Sequence, residues 1–336
     1  RGEARSVLLG NPHYPWDGPL RFYRLHMMIP GELNVVGAGL ITAPIVGIGH
    51  TEHVAWSHTV STARRFGYFE LTLDPQDPTR YRRDGEWEEM TAREITVEVR
   101  QPDGSVVPVT RTLYETPMGA LVETDTLPWT SERAFAMRDV PSGLRLLDQY
   151  FAIYQAESVR ELREALGAYQ ATLFNTTSAD SSGETFFGDM GMIPHVTADK
   201  AASCAASDLA RGVWMQTRVP VLDGSRSECD WGIDPDSTAP GVFGPSSQPQ
   251  LFRTDYVAQS NDSHWLTNPE APLTGFSPVF GDEETQRSLR TRLALDIIEP
   301  QEEAQLAVVS CAPLVSTKTE QLLVVDIGGG STELVW

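Results

Sequence analysis

The chain has 336 residues, 40% of them hydrophobic, enough to bury one large core or two ordinary ones. Against 26 Lys and Arg stand 46 Asp and Glu, a formal charge of −20 that suits neither a nucleic-acid backbone nor an anionic membrane surface, so nucleic acid is not an expected partner. Eight tryptophans indicate a packed globule rather than a tail, and no apolar run reaches the length of a membrane span. The first residue is Arg1, which suggests a start lost through processing or truncation, so the absence of a signal peptide is silent on compartment.

In chain order, "LLGNPHYPW" (residues 8–16) sets His13 between an Asn-Pro and a Pro-Trp pair. It reads as a rigid turn carrying either a surface histidine or a functional one. "NVVGAGLITAPIVGIGH" mixes small and β-branched residues with repeated glycines, which predicts strands packed closely on a neighbouring layer. "HVAWSHTV" and "YFELTLD" continue as strands, and "EITVEVRQPDGSVVPVTRTLYET" alternates about Pro102-Asp103-Gly104 as a hairpin. "FAMRDV" and "ETFFGDM" are further short strands. Helices are fewer: "ESVRELREALGAYQ" puts Val159, Leu162, Leu166 and Tyr169 on one face, and "EETQRSLRTRLALDIIE" is a second, basic one. Between them "DPDSTAPGVFGPSSQPQ" is a loop rather than a domain linker. Long antiparallel runs with few helices predict an α+β fold.

Three cysteines lack the clustered spacing of a zinc site. Cys204 and Cys229 flank a loop-like stretch, "RGVWMQTRVPVLDGSRSE", which fits a disulfide closing it and equally two unrelated buried thiols. From residue 297 the style changes. "LLVVDIGGGSTEL" is an apolar strand followed by Asp326 and the Gly328-Gly329-Gly330 turn, which suits a phosphate held by backbone N–H groups.

"GNPHYPW", "RFYRLH", "IPGELNVVGAGL", "VAWSHTVSTARRF", "VLDGSRSEC", "SNDSHWL" and "RSLRTRL" occur in this order. The chain in these segments resembles the nucleophile-bearing chain of the penicillin acylase family of N-terminal nucleophile hydrolases, in the branch of the aculeacin A and acyl-homoserine-lactone acylases. The resemblance covers residues 1–296 and implies an incomplete four-layer αββα sandwich. It implies amide hydrolysis through a serine acyl-enzyme, the serine's own α-amine acting as base. Carried onto this sequence, the backbone N–H of Val60 and the side-chain amide of Asn261 would stabilise the oxyanion, and His13 would lie beside the nucleophile's amine. Tyr14 and Leu40 match acyl-pocket positions, or are ordinary core residues, and Leu173 stands where a bulky tryptophan is usual. Arg287 and Arg290 either hold the Asn261 loop or belong to a solvated helix face.

The likeness further implies an acyl-amide small molecule as substrate, a small α chain of the same precursor as partner, and a periplasmic or secreted location. No cofactor is expected, and no metal, because "STARRF" places arginines where a calcium site would need carboxylates. Relatives carry a serine-led strand ahead of the segment that Arg1 opens, so the 336-residue chain is expected to be inert alone. Residues 297–336 resemble part of an exopolyphosphatase, too small a piece of that fold to be an independent domain. Two rival readings are a polyphosphate phosphatase resting on Asp326 to Glu333, and a binding protein that keeps the acyl pocket without the chemistry.

Overall fold

The computed structural model describes residues 6–141 and 145–298. Asp326, the Gly328-Gly329-Gly330 turn and Cys311 lie outside the described residues, and with them the phosphate-site reading of residues 297–336.

Alternating patterns build two sheets. β1 (Phe22–Ile29) and β2 (Leu33–Leu40) pair antiparallel from Phe22↔Leu40 to Ile29↔Leu33. Their connection is a type II turn, with Pro30 second, Gly31 third at φ +80° and Glu32 N–H donating to the Ile29 carbonyl at 2.9 Å. β3 (Ile48–His50) and β4 (Val54–Val60) extend this sheet. The glycines here have a nearer neighbour than a second layer. A Cβ on Gly37 would stand 2.1 Å from the Ile48 carbonyl oxygen, so it is the chain's own return segment that crowds β2.

The second sheet takes β5 (Phe66–Asp74), β6 (Asp77–Arg83), β7 (Glu86–Glu89), β8 (Thr91–Arg100), β9 (Val106–Thr116), β10 (Gly119–Val122) and β11 (Arg133–Asp139). β8 and β9 form the expected hairpin, in register from Thr91↔Glu115 to Arg100↔Val106, and Gly104 at φ +85° makes its tight reversal.

Next come α1 (Arg145–Gln155), α2 (Val159–Tyr169), β12 (Phe174–Asp180) and β13 (Thr185–Gly188). α2 is the helix the periodicity predicts, and Ser158 caps it by accepting from the Glu161 N–H. α3 (Ala198–Ser203), α4 (Asp208–Thr217), β14 (Val221–Asp223), β15 (Gln250–Arg253) and α5 (Leu289–Ile298) are the remaining helices and strands among the described residues. The first sheet runs β1-β2-β3-β4-β12-β13-β15, and β14 joins β5 in parallel.

Burial shows the layers. α1 and α2 lay Tyr150, Ile153, Leu162 and Leu166 on Val35, Val54 and Trp56 of the first sheet. α4 packs Ala210 on Phe135 and Val221 of the second. On the opposite face of the second sheet, Phe69, Leu71, Ala134 and Ala136 join Met192, Ile193, Val242 and Phe280 in the largest core. Helices outside and sheets inside form the α+β sandwich expected of the resemblance. Among the described residues no helix is long and apolar enough to cross a membrane.

Two expectations need correction. The stretch between Cys204 and Cys229 is not a loop, because it holds α4, capped where Ser207 Oγ accepts from the Ala210 N–H at 3.1 Å. The helix expected over residues 283–299 starts only at Leu289. Ahead of it, the Glu283 carboxylate accepts from the Gly275 and Phe276 N–H groups, an arrangement that holds the segment in loop form.

Cys204 and Cys229 are bonded, S–S 2.13 Å, across 25 residues that include α4 and β14. Replacing both by alanine is expected to cost about 3 kcal/mol through the freer unfolded chain. Urea denaturation of the two proteins measures this, and equal midpoints would show that the closed segment adds no stability.

Candidate active site

His13, Tyr14, Leu40, Val60, Leu173, Asn261 and Arg290 line one cavity of about 670 Å³, although they come from segments far apart in the chain. Its other walls are largely apolar, with Phe22, Ile45, Ile48, Leu146 and Phe174 among them. A smaller groove of about 160 Å³ adjoins it and shares Asn11, His13, His58, Thr59, Asn261 and Arg290. Hydroxyl side chains line much of this groove, including Ser57, Thr177, Ser178 and Thr185. The polar residues therefore sit where an apolar space meets a polar one.

His13 reaches this junction from an irregular segment, not from the expected turn. Residues 11–15 form neither a turn nor a regular element, and the first bend comes at Trp16. Pro12 and Pro15 each steer the residue before them away from helical backbone, and so keep the segment out of a helix. Tyr14 packs edge-on against Phe22, ring centroids 5.0 Å apart.

Val60 ends β4 at the cavity wall and is 53% exposed. Its partner across the sheet is Phe174, so Leu173 lies just beyond the pairing. Beneath, buried Asn175 donates from Nδ2 to the Val60 carbonyl at 3.4 Å and to Thr59 Oγ1 at 3.2 Å. This clamp fixes the strand end.

Asn261 sits at φ +61°, in the left-handed region that asparagine tolerates better than most residues. Arg290 Nη2 donates to Asn261 Oδ1 at 2.8 Å and to the Ser260 carbonyl at 2.9 Å. Because a guanidinium can only donate, the atom facing Arg290 must be the carbonyl oxygen. The Asn261 amide donors are thereby turned to the other side.

Arg287 does not line the cavity. It is 7% exposed, ahead of α5 rather than on a solvated helix face. It donates to Asp262 Oδ1 at 2.9 Å and Ser263 Oγ at 2.7 Å, and its guanidinium covers Trp265 at 5.3 Å. Burial pushes the Asp262 carboxyl up, but bonds from the Ser288 N–H, Thr291 and the Ser263 N–H, with the Arg287 charge, outweigh it and hold the carboxyl below its ordinary value. Arg290 thus sets the Asn261 side chain while Arg287 sets the loop behind it.

The sequence reading missed His58 and Tyr150, both on the cavity wall. His58 Nε2 lies 2.9 Å from the Tyr150 hydroxyl, and Nδ1 lies 3.3 Å from the Asn175 carbonyl and 3.2 Å from Thr176 Oγ1. Burial drives His58 down to about 4, against the raising effect of its Asn175 bond, so the ring is neutral near neutral pH. A signal existed: His58 follows Val54 and Trp56 at a spacing of two, which puts it on the face they bury. The arginines of "STARRF" are also occupied, Arg65 by Asp189 at 3.5 Å and Arg64 by the Thr217 carbonyl at 2.6 Å. Among the described residues no group of three or more His, Cys, Asp and Glu could hold a metal ion.

Against known proteins, residues 3–322 match the penicillin amidase family. The chain is 47% identical over 297 residues to aculeacin-A acylase of Actinoplanes utahensis, an alignment covering 88% of this chain and 37% of that protein. It is 42% identical over 307 residues to the acyl-homoserine lactone acylase PvdQ of Pseudomonas fluorescens Pf-5, covering 90% and 39%. It thus spans well under half the length of the curated relatives it matches. A thermostable penicillin G acylase from Alcaligenes faecalis shares the fold at a TM-score of 0.60 and 16% identity, over 87% of this chain and 46% of that one. With the layered sheets, the cavity and a family match over nearly its whole length, this chain belongs to the penicillin amidase family.

Proposed function

We propose that this chain supplies the oxyanion-binding and acyl-binding part of an amide hydrolase that deacylates N-acyl-homoserine lactones or the acyl amides of lipopeptides. The complete enzyme adds a nucleophilic serine with a free α-amine and a small partner chain from the same precursor. The observation that carries this reading is the shared cavity, in which His13, Val60 and Asn261 meet an apolar space of about 670 Å³.

In this reading the serine hydroxyl attacks the amide carbonyl while its α-amine takes the proton, with His13 orienting that amine. The carbonyl oxygen becomes an oxyanion held by the Val60 N–H and the Asn261 amide, and the acyl chain lies along Leu40, Leu173 and Tyr14. Collapse expels the amine, which takes the proton the α-amine had accepted, and water then adds to the acyl-serine ester to release the fatty acid and the free serine. The Cys204–Cys229 disulfide supports a periplasmic or secreted location, where such bonds persist. The aculeacin-A and homoserine-lactone acylases named above support the substrate class.

The test compares the 336-residue chain with the full product of its gene. Both should bind a long-chain fatty acid in the cavity, and only the full product should release homoserine lactone from an N-acyl-homoserine lactone. Hydrolysis by the 336-residue chain alone would overturn this division of labour, and inactivity of both would sink the deacylase reading.

A further inference from the structure

Within the apolar cavity the Tyr150–His58 pair stands out, because the groups around it favour one arrangement of its hydrogens. The Asn175 carbonyl at 3.3 Å can only accept, while Thr176 Oγ1 at 3.2 Å can accept or donate, so a proton on His58 Nδ1 is the arrangement that leaves no lone pairs opposed there. His58 Nε2 is then bare, and the Tyr150 hydroxyl at 2.9 Å must donate to it. The only proton on that hydroxyl is spent, while its lone pairs remain, since among the described residues no donor reaches Tyr150 Oη. The oxygen is also at the cavity wall. Gly47 and His58 flank it and both line the space, and a Cβ on Gly47 would stand 3.9 Å from it.

We infer that the Tyr150 hydroxyl is a hydrogen-bond acceptor that selects acyl chains bearing a hydroxyl group over unsubstituted and oxo-substituted ones. The inference rests on the reading of this cavity as an acyl site. A ligand hydroxyl donates to Tyr150 Oη and leaves the His58 bond intact. A ketone needs a donor, and serving it would turn the Tyr150 proton away from His58 and leave a buried imidazole nitrogen unpaired. An unsubstituted chain gains nothing from the oxygen. The depressed basicity of His58 agrees with a neutral ring that accepts from Tyr150.

The test titrates the 336-residue chain calorimetrically with dodecanoic acid, with monohydroxydodecanoic acids in which the hydroxyl is moved along the chain, and with the matching oxo acids. One hydroxy isomer should bind roughly fivefold tighter than dodecanoic acid, the worth of one ordinary hydrogen bond, and its oxo counterpart should show no gain. Tyr150→Phe should erase the gain, so that the preferred hydroxy isomer binds this variant no tighter than dodecanoic acid does. Gly47→Ala should blunt it with Tyr150 in place, and decides the matter if Tyr150→Phe does not fold. Dodecanoic acid binding with no preferred hydroxy isomer, or a preference that survives Tyr150→Phe, overturns the inference and leaves the acyl site standing. No binding by any of the acids overturns both.

Discussion

Replacing Asn261 by glycine in the complete acylase is expected to lower kcat by about 10²–10³ and to leave the folded protein intact. The residue stands at φ +61°, which glycine adopts without strain, so this substitution removes the carboxamide and not the backbone geometry. The loss is then assignable to chemistry. Arg290 pins the Asn261 oxygen at 2.8 Å, so the amide donors are held in one direction before any substrate arrives. Donors already aimed at a developing oxyanion act in the transition state far more than in the ground state. KM should change little, because the apolar wall proposed to hold the acyl chain is untouched. Asn261→Asp is the sharper control. It can keep the contact to Arg290 but has no donor, and it places negative charge where negative charge must form, so its loss should equal or exceed that of glycine. Steady-state release of homoserine lactone measures all three proteins, and undiminished kcat in Asn261→Gly would remove Asn261 from the mechanism.

How much of this could be read from the chain depends on where burial follows alternation. β4, β5 and the β8–β9 hairpin were legible from sequence, although the hairpin is exposed on both faces, as was α2 with its serine cap. β12 was not, because "FNTTSAD" is polar on both faces and yet buried: Asn175, Thr176, Ser178 and Asp180 are all 3% exposed or less. Asn175, Thr176 and Asp180 are satisfied internally, by Thr59, His58 and the turn that Asp180 organises, which no period reveals. α1 carried a readable helical spacing in Leu146, Tyr150, Ile153 and Tyr154, obscured by aromatic residues that also suit strands. α4 hid behind Gly212 and its short length, although Ser207 signalled a cap. The site was legible only through the family resemblance. Nothing in the spacing of His13, Val60 and Asn261 predicts one cavity, since the sheet order that joins their segments is set by long-range pairing such as β4 with β12.

The second large effect lies one residue beyond Asn261. Arg287→Ala is expected to destabilise the protein by about 2–3 kcal/mol, the loss of a charged hydrogen bond to a partly buried carboxylate that keeps its other donors. Asp262 accepts from Arg287 Nη1 at 2.9 Å, the Ser288 N–H at 3.0 Å, the Ser263 N–H at 3.0 Å and Thr291 Oγ1 at 2.9 Å. It thereby ties the Asn261 loop to the start of α5, with the guanidinium closing the knot against Trp265. Arg287→Met keeps an apolar stem on that ring and should cost less than alanine. Acid provides an independent reading. The folded Asp262 carboxyl titrates below its ordinary 3.8, so its contribution is complete above that value and is lost as pH falls through the folded pKa. Without the Arg287 charge that pKa rises, so the acid-induced loss should begin at a higher pH in Arg287→Met than in the parent. Urea midpoints measured from about pH 7 downward give both quantities, and parallel curves for the two proteins would show that Arg287 does not hold the Asp262 charge.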